Sequence, residues 1–513
     1  MDKLRLDGIF SDGMIFRRDA ENEIWGFDAL ADSVTAELDG IKVTAKTENG
    51  HFRIKLPPHS AASGLTLTVT GSSAVTLSDI CFGDLLLLTG QSNMELPVGR
   101  TLDVSPDAVN DSFPYIRQFS IRPLHTVGYP AGSIPENRWI KAQGADILLF
   151  SAAGYFAARR IYLEKGVPVG LILAAQGGST IESWMPEEEL SAFGDYTAEI
   201  DRYRGDTALG EAIAQRDREI AQWKEKQDMH TDEGFSSRIP DGAKEYFVPG
   251  FIRDTELRGF SGSVWFYKEV VLDDVPEGGC LLRVGDLIDS DRTYVNGVKV
   301  GETGYRYPPR KYRFASDLLH PGSNLIAVRL IIDGGDGGFV PAHPYRLELN
   351  GKTVDLSGEW KYAVEHRAET PSPTVVMAQC VPTWLYNGSI APLAGLSFSG
   401  TFWYQGESNA DAPERYDEKF TKMLRCWRKT LRQPLPAICV EMCDYIEPLD
   451  PTGEESPEGW AKIQQMQRTA PQTVENCRCV SAKDLGETLE LHPQKKEELG
   501  ERLAKEALSF FEL

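Results

Sequence analysis

The sequence predicts an α/β domain on a parallel sheet, with a β domain ahead of it and a β insertion within it. Three observations carry this. The segments Asp84-Leu85-Leu86-Leu87-Leu88-Thr89 and Val169-Gly170-Leu171-Ile172-Leu173-Ala174 are almost unbroken apolar runs, as in strands buried on both faces. Between them, about Ala153 to Lys165 predicts a helix ended by Gly166 and Pro168; strand, helix, strand in this order predicts a parallel sheet. Flanking stretches instead alternate apolar and polar residues with period two, the mark of half-buried strands.

In chain order, residues 1–79 read as a small β-sandwich. Val34, Ala36 and Leu38 alternate with polar residues, Asp39-Gly40 forms a two-residue turn, and Ile41, Val43 and Ala45 alternate again. Phe52, Ile54 and Leu56, then Leu65, Leu67 and Val69, repeat the pattern. Residues 80–190 read as the first part of the α/β domain. Residues 191–374 read as an insertion: a charged helical stretch over about 190–235, then β structure marked by Asn296-Gly297 between Tyr294-Val295 and Val298-Lys299-Val300. Residues 375–513 resume the α/β texture, with strands expected at Leu396 to Trp403 and Ala437 to Glu441. A last helix is expected from near Pro493 to Phe510, with Leu499, Leu503, Ala507 and Phe510 on one face.

Composition narrows the class. At 513 residues the chain exceeds one compact core, and its 41% hydrophobic and 25% charged content is that of a globular protein. The net charge of −22 disfavours nucleic acid and anionic lipid as partners, whereas a neutral acetylated glycan meets no repulsion. Eight cysteines without CxxC pairs predict buried thiols rather than a disulfide scaffold, and Met1 to Asp7 holds no apolar leader; together these point to a reducing compartment, the cytoplasm. No run of 18 apolar residues predicts a membrane span. A homo-oligomer is compatible with all of this.

Four stretches could carry chemistry. Gly90-Gln91-Ser92-Asn93-Met94 follows a buried strand, where Gly90 permits a sharp turn and places Ser92 at the sheet edge where ligands bind; alone it fits a helix cap equally well. Gln176-Gly177-Gly178-Ser179-Thr180-Ile181-Glu182-Ser183-Trp184 can turn backbone N–H groups toward an oxyanion, or be a plain tight turn; Trp184 either stacks on a sugar or packs. Trp403-Tyr404-Gln405-Gly406-Glu407-Ser408-Asn409 brings two side-chain amides and a carboxylate into one loop. Leu491-His492-Pro493 heads the last helix, and His492 alone among eight histidines lies in the returning α/β segment. Together these supply a nucleophile, a base and oxyanion donors. No His/Cys/Asp cluster has metal-ligand spacing, so neither metal nor cofactor is expected.

These stretches, with Glu95 after Met94, Ala410 after Asn409, and Lys495, Gly500, Arg502 and Leu503 after His492-Pro493, resemble the SGNH hydrolases, within them the sialate O-acetylesterase and acetylxylan esterase group. Ser11-Asp12-Gly13-Met14 with Trp25-Gly26 resembles the β domain that precedes the hydrolase in such proteins. The insertion with Asp291, Tyr294, Asn296 and Gly297 resembles a galactose-binding-like jelly roll. The resemblance implies a three-layer, flavodoxin-like SGNH domain, an N-terminal β-sandwich and an inserted jelly roll. It implies a Ser–His acyl-enzyme mechanism with Ser92 as nucleophile and His492 as base. The N–H groups of Ser92 and Gly178, with the side chain of Gln405 or Asn409, would hold the oxyanion. Gln91, Glu407 and Trp184 would line the substrate site.

The third triad position departs from the family pattern. Leu489 stands three residues before His492, where many members carry aspartate. Glu490 ranks first as orienting carboxylate, Glu407 second, Asp484 third, and an unassisted dyad is the remaining form. The implied activity is hydrolysis of acetyl esters on a sugar, sialate or similar. The alternatives are an acetylxylan esterase, an inactive carbohydrate-binding protein and, ranked lower, a lipase or thioesterase of the same fold.

Overall fold

One strand organises the first part of the molecule. In the computed structural model, which describes residues 3–229, 233–306, 308–446, 458–487 and 489–513, Ala74–Gly90 runs unbroken for 17 residues. Its first half alternates between exposed and buried; from Ile80 onward every residue is buried. The exposed half pairs antiparallel with Ala62–Thr70, and Cys81 to Gly83 pair parallel with Ile15–Arg17. The buried half pairs with Val169–Leu173 on one side and Gly400–Tyr404 on the other, both parallel. The expected boundary at 79/80 therefore falls inside a strand: the environment changes there, the backbone does not.

The sheet runs in the order Ile140–Gln143, Ser112–Ser120, Val169–Leu173, Ala74–Gly90, Gly400–Tyr404, Ala437–Glu441, Cys477–Ser481. All neighbours are parallel except the edge strand Ile140–Gln143. The expected strand at Leu396 begins only at Gly400, because the preceding residues serve turns around Ala394 and Leu396.

The helix Ala152–Lys165 ends at Gly166 in the left-handed conformation, φ +69°, where a glycine has no Cβ penalty. It packs on the last helix, Lys496–Phe510. A Cβ on Gly500 would lie 2.4 Å from Phe156 Cβ, so glycine is what permits the close crossing. Leu499, Leu503 and Ala507 face inward as their spacing predicts, but Phe511 is buried in place of Phe510, whose ring instead receives the Arg478 guanidinium 4.5 Å away. Two further helices, Tyr416–Leu431 and Trp460–Thr473, follow the later strands. Among the described residues no helix is long and apolar enough to cross a membrane.

The hairpin expected at Asp39-Gly40 joins Ser33–Leu38 to Ile41–Lys46, with φ +48° and +76° at the turn, as a primed two-residue turn requires. These elements belong to one compact unit: Met1–Glu211, Met377–Tyr445 and Ser456–Leu513.

The second unit is built on Ala212–Val376. It holds two antiparallel sheets, with Phe260–Leu272 and Gly322–Gly335 central in one, Gly279–Ile288 and Gly338–Leu349 in the other. Val264, Phe266 and Val328 from the first share one core with Leu282, Phe339 and Leu347 from the second. The Asn296-Gly297 turn joins Ser290–Val295 to Val298–Thr303. The charged stretch forms Thr197–Tyr203 and Ala208–Asp228; residues 230–232 of it lie outside the described residues. The described cysteines are free thiols, five of them buried.

Candidate active site

Three strand ends meet at Gly90. Its φ is +119°, and a Cβ there would stand 2.1 Å from the Tyr404 carbonyl, so only glycine lets the two strands come this close. The Gln91 N–H donates to Tyr404 O at 2.9 Å, and the Gln176 N–H to Gly90 O at 3.0 Å. The loops after all three strands are thereby tied together at the carboxyl edge of the sheet, the usual ligand edge of such sheets.

Ser92 opens the one-turn helix Ser92–Glu95 at this edge. His492, 400 residues later, places Nε2 2.9 Å from Ser92 Oγ. That is the contact a serine needs to surrender its proton to an imidazole. Burial, reinforced by the positive charges of Lys496 and Arg100, lowers the His492 pKa to about 3. The ring is therefore neutral at physiological pH, the form able to accept a proton.

Of the three ranked carboxylates, Glu490 lies beside the histidine. Its Oε1 accepts the His492 backbone N–H at 2.6 Å and stands 3.9 Å from Nδ1. Glu407 points elsewhere: its Oε1 accepts from Asn93 Nδ2 at 2.6 Å. Asp484 is drawn to the surface by Arg502, with contacts of 2.7 Å to both guanidinium nitrogens.

The amide-rich loop serves chiefly the frame. Gln405 is fully buried; its Nε2 donates to Ser179 O and Asn409 Oδ1, and its Oε1 accepts from Tyr416. Asn409 donates through Nδ2 to Glu182, itself paired with Lys419 at 2.7 Å. Both N–H groups of Gln405 are spent on the frame, which corrects the expectation for it, whereas Asn409 commits one of its two, so of the pair it is Asn409 that keeps a donor for an oxyanion. Gln91 is also buried, and its Oε1 accepts from the N–H groups of Gly406 and Ser408. Trp184 is corrected in the same way: no part of it is exposed, its N–H donates to Ser179 Oγ, and it packs edge-on against Trp403 at 5.8 Å. It offers no face to a sugar. Gly178 holds φ +71°, the left-handed turn expected of the glycine pair.

Two residues essential to this geometry escaped the sequence reading. Asn93 donates to Glu407 and to Leu491 O, and accepts from Lys496 Nζ at 2.7 Å, so one amide ties the serine turn to the histidine loop. Lys496 is 1% exposed, and burial lowers its pKa to about 8. A signal for it existed: Lys496 falls on the same helical face as Leu499, Leu503 and Ala507, a charge inside an apolar stripe.

Residues 385–509 match the family of carbohydrate esterases described as sialic acid-specific acetylesterases. By that segment the chain is similar to this esterase family. The segment holds Gln405, Glu407, Asn409, Glu490 and His492; Ser92 and Gly178 lie outside it. Human sialate O-acetylesterase is 24% identical over 205 residues, 36% of this chain and 39% of that protein. The mouse protein of the same name is 26% identical over 191 residues, 33% of this chain and 35% of that protein. The chain thus matches about two fifths of the length of these relatives. The fold is similar to that of a carbohydrate acetylesterase from Xanthomonas citri, with a TM-score of 0.59 at 19% identity, over 99% of this chain and 75% of that one.

Proposed function

We propose that this chain is a carbohydrate O-acetylesterase, hydrolysing acetyl esters on sugars through Ser92 and His492. The contact of 2.9 Å between these residues carries the reading. Ser92 Oγ attacks the acetyl carbonyl while its proton passes to His492 Nε2. The tetrahedral intermediate collapses, the same proton goes to the departing sugar oxygen, and acetyl-Ser92 remains. Water, deprotonated by His492, then releases acetate and restores the serine. Glu490 holds the ring and balances its charge when protonated. With Gln405 committed to the frame, the oxyanion falls to the backbone N–H groups of Ser92 and Gly178 and to the second N–H of Asn409. Acetyl groups on sialate or on xylose belong to the same substrate class.

The reading includes an architecture: a three-layer SGNH domain in two segments around a jelly-roll insertion, with β structure ahead of it. The parallel strand order and the two-sheet second unit support it.

The test is acetate release from p-nitrophenyl acetate and acetylated sugars, wild type against Ser92→Ala. Turnover should fall by at least about 10³-fold with an unchanged circular dichroism spectrum. A variant that retains turnover would remove Ser92 from the mechanism.

A further inference from the structure

Glu95 is the carboxylate of the site that the reaction above does not use. It closes the helical turn that Ser92 opens, three residues on, so both side chains lie on one face. It is exposed, and its Oε2 accepts the Gly177 N–H at 2.7 Å. A single point locates it against the nucleophile: a Cβ on Gly177 would stand 3.2 Å from Glu95 Oε2 and 3.5 Å from Ser92 Cβ. The carboxylate therefore borders the space in front of Ser92.

The other acids of these loops each have a partner for at least one oxygen. Glu182 is paired with Lys419, Glu407 takes the Asn93 amide, and Glu490 takes the His492 N–H. Among the described residues no cation forms an ion pair with Glu95, whose carboxylate accepts the Gly177 N–H. Lys496 is enclosed and bonded to Asn93, while the charge of Arg100 acts at His492. Tethering Gly177 needs one acceptor oxygen, which a glutamine would supply equally; what glutamate adds is charge and a second acceptor.

We propose that Glu95 makes this site select an uncharged acetylated sugar over an anionic one, accepting a hydrogen bond from a sugar hydroxyl beside Ser92. This rests on the esterase reading of the site. It separates the chain from the sialic-acid preference in the description of the family that residues 385–509 match, because a sialic acid would bring its own carboxylate into a negative field.

The experiment compares kcat/KM of the full chain on an acetylated methyl xyloside and on O-acetyl sialic acid, for wild type and Glu95→Gln, with p-nitrophenyl acetate as a common reporter. Wild type should favour the neutral sugar by about tenfold, and the variant should narrow that ratio by about fivefold. Raised ionic strength should narrow it in wild type in the same direction. If wild type cleaves p-nitrophenyl acetate but takes the anionic sugar as readily as the neutral one, or if Glu95→Gln leaves the ratio unchanged, the selectivity is not set here. A folded wild type inactive on all three esters would take down the esterase reading and this inference together.

Discussion

Both units bury charge, and they treat it oppositely. In the second unit Arg310 and Asp291 form an ion pair with neither side chain exposed. All five guanidinium N–H groups are used: Nε on Asp291, the others on the carbonyls of Arg306, Pro308, Asp289 and Tyr305. Asp291 is answered in turn by Thr293 and Tyr312. In the first unit Lys496, equally buried, makes one side-chain hydrogen bond, to Asn93. The Glu407 Oε2 atom is buried without a partner. A closed network recovers its desolvation cost and holds loops in place; an open one stores unspent charge where a reaction can draw on it.

The contrast can be broken most sharply at Arg310. Arg310→Ala should destabilise the protein by about 3–5 kcal/mol, because it strands Asp291 in the interior, and a denaturant titration would show it. A change below about 1 kcal/mol would mean that the closed network does little for stability. Next in size is Glu490→Gln, which should lower kcat by about 10²-fold while leaving Ser92 in place for slow acylation by fluorophosphonate. Wild-type turnover from that variant would leave the histidine unassisted. The smallest effect belongs to Lys496→Met, which exchanges an incompletely bonded charge for an apolar side chain of similar length. Stability should change by less than about 1.5 kcal/mol, but the acid limb of kcat/KM should move to higher pH. The positive charge of Lys496 holds the His492 pKa down; without it the imidazole protonates at higher pH and the base is lost sooner on acidification. An acid limb that stays fixed would show that Lys496 does not act on His492.

Much of this could be read from the chain alone, for reasons that differ by residue. Leu85 to Leu88 announced a strand buried on both faces, and Asp39-Gly40 and Asn296-Gly297 announced turns, because those features are local. Ser92 and His492 were legible as chemical types at strand and helix ends, though nothing local states that they meet. Tryptophans and amides near a serine suit a sugar, yet tertiary packing uses Trp184 and Gln405 to hold loops together, while Asn409 braces the loop with one amide N–H and keeps the other. Asn93 stood inside a quoted motif, but its bonds to Leu491 and Lys496 cross about 400 residues, a distance no spacing rule spans. The strand starts at Gly400 rather than Leu396 because Leu396 and Phe398 are buried in irregular backbone, and apolarity alone does not separate a buried loop from a strand.

The shared strand Ala74–Gly90 has a consequence for anyone who would cut the gene. A truncation at residue 80 would leave the Ser92 segment starting with Cys81 and Phe82, both fully buried, on a sheet edge whose partners Ile15–Arg17 and Ala62–Thr70 had been deleted. Such an edge invites pairing with another chain. It would also free the Arg117 guanidinium from Gly13 O and from Asp79. The amino-terminal residues thus behave as a wall of the α/β domain rather than as a removable accessory, and a shortened gene product should come out of the cell as aggregate.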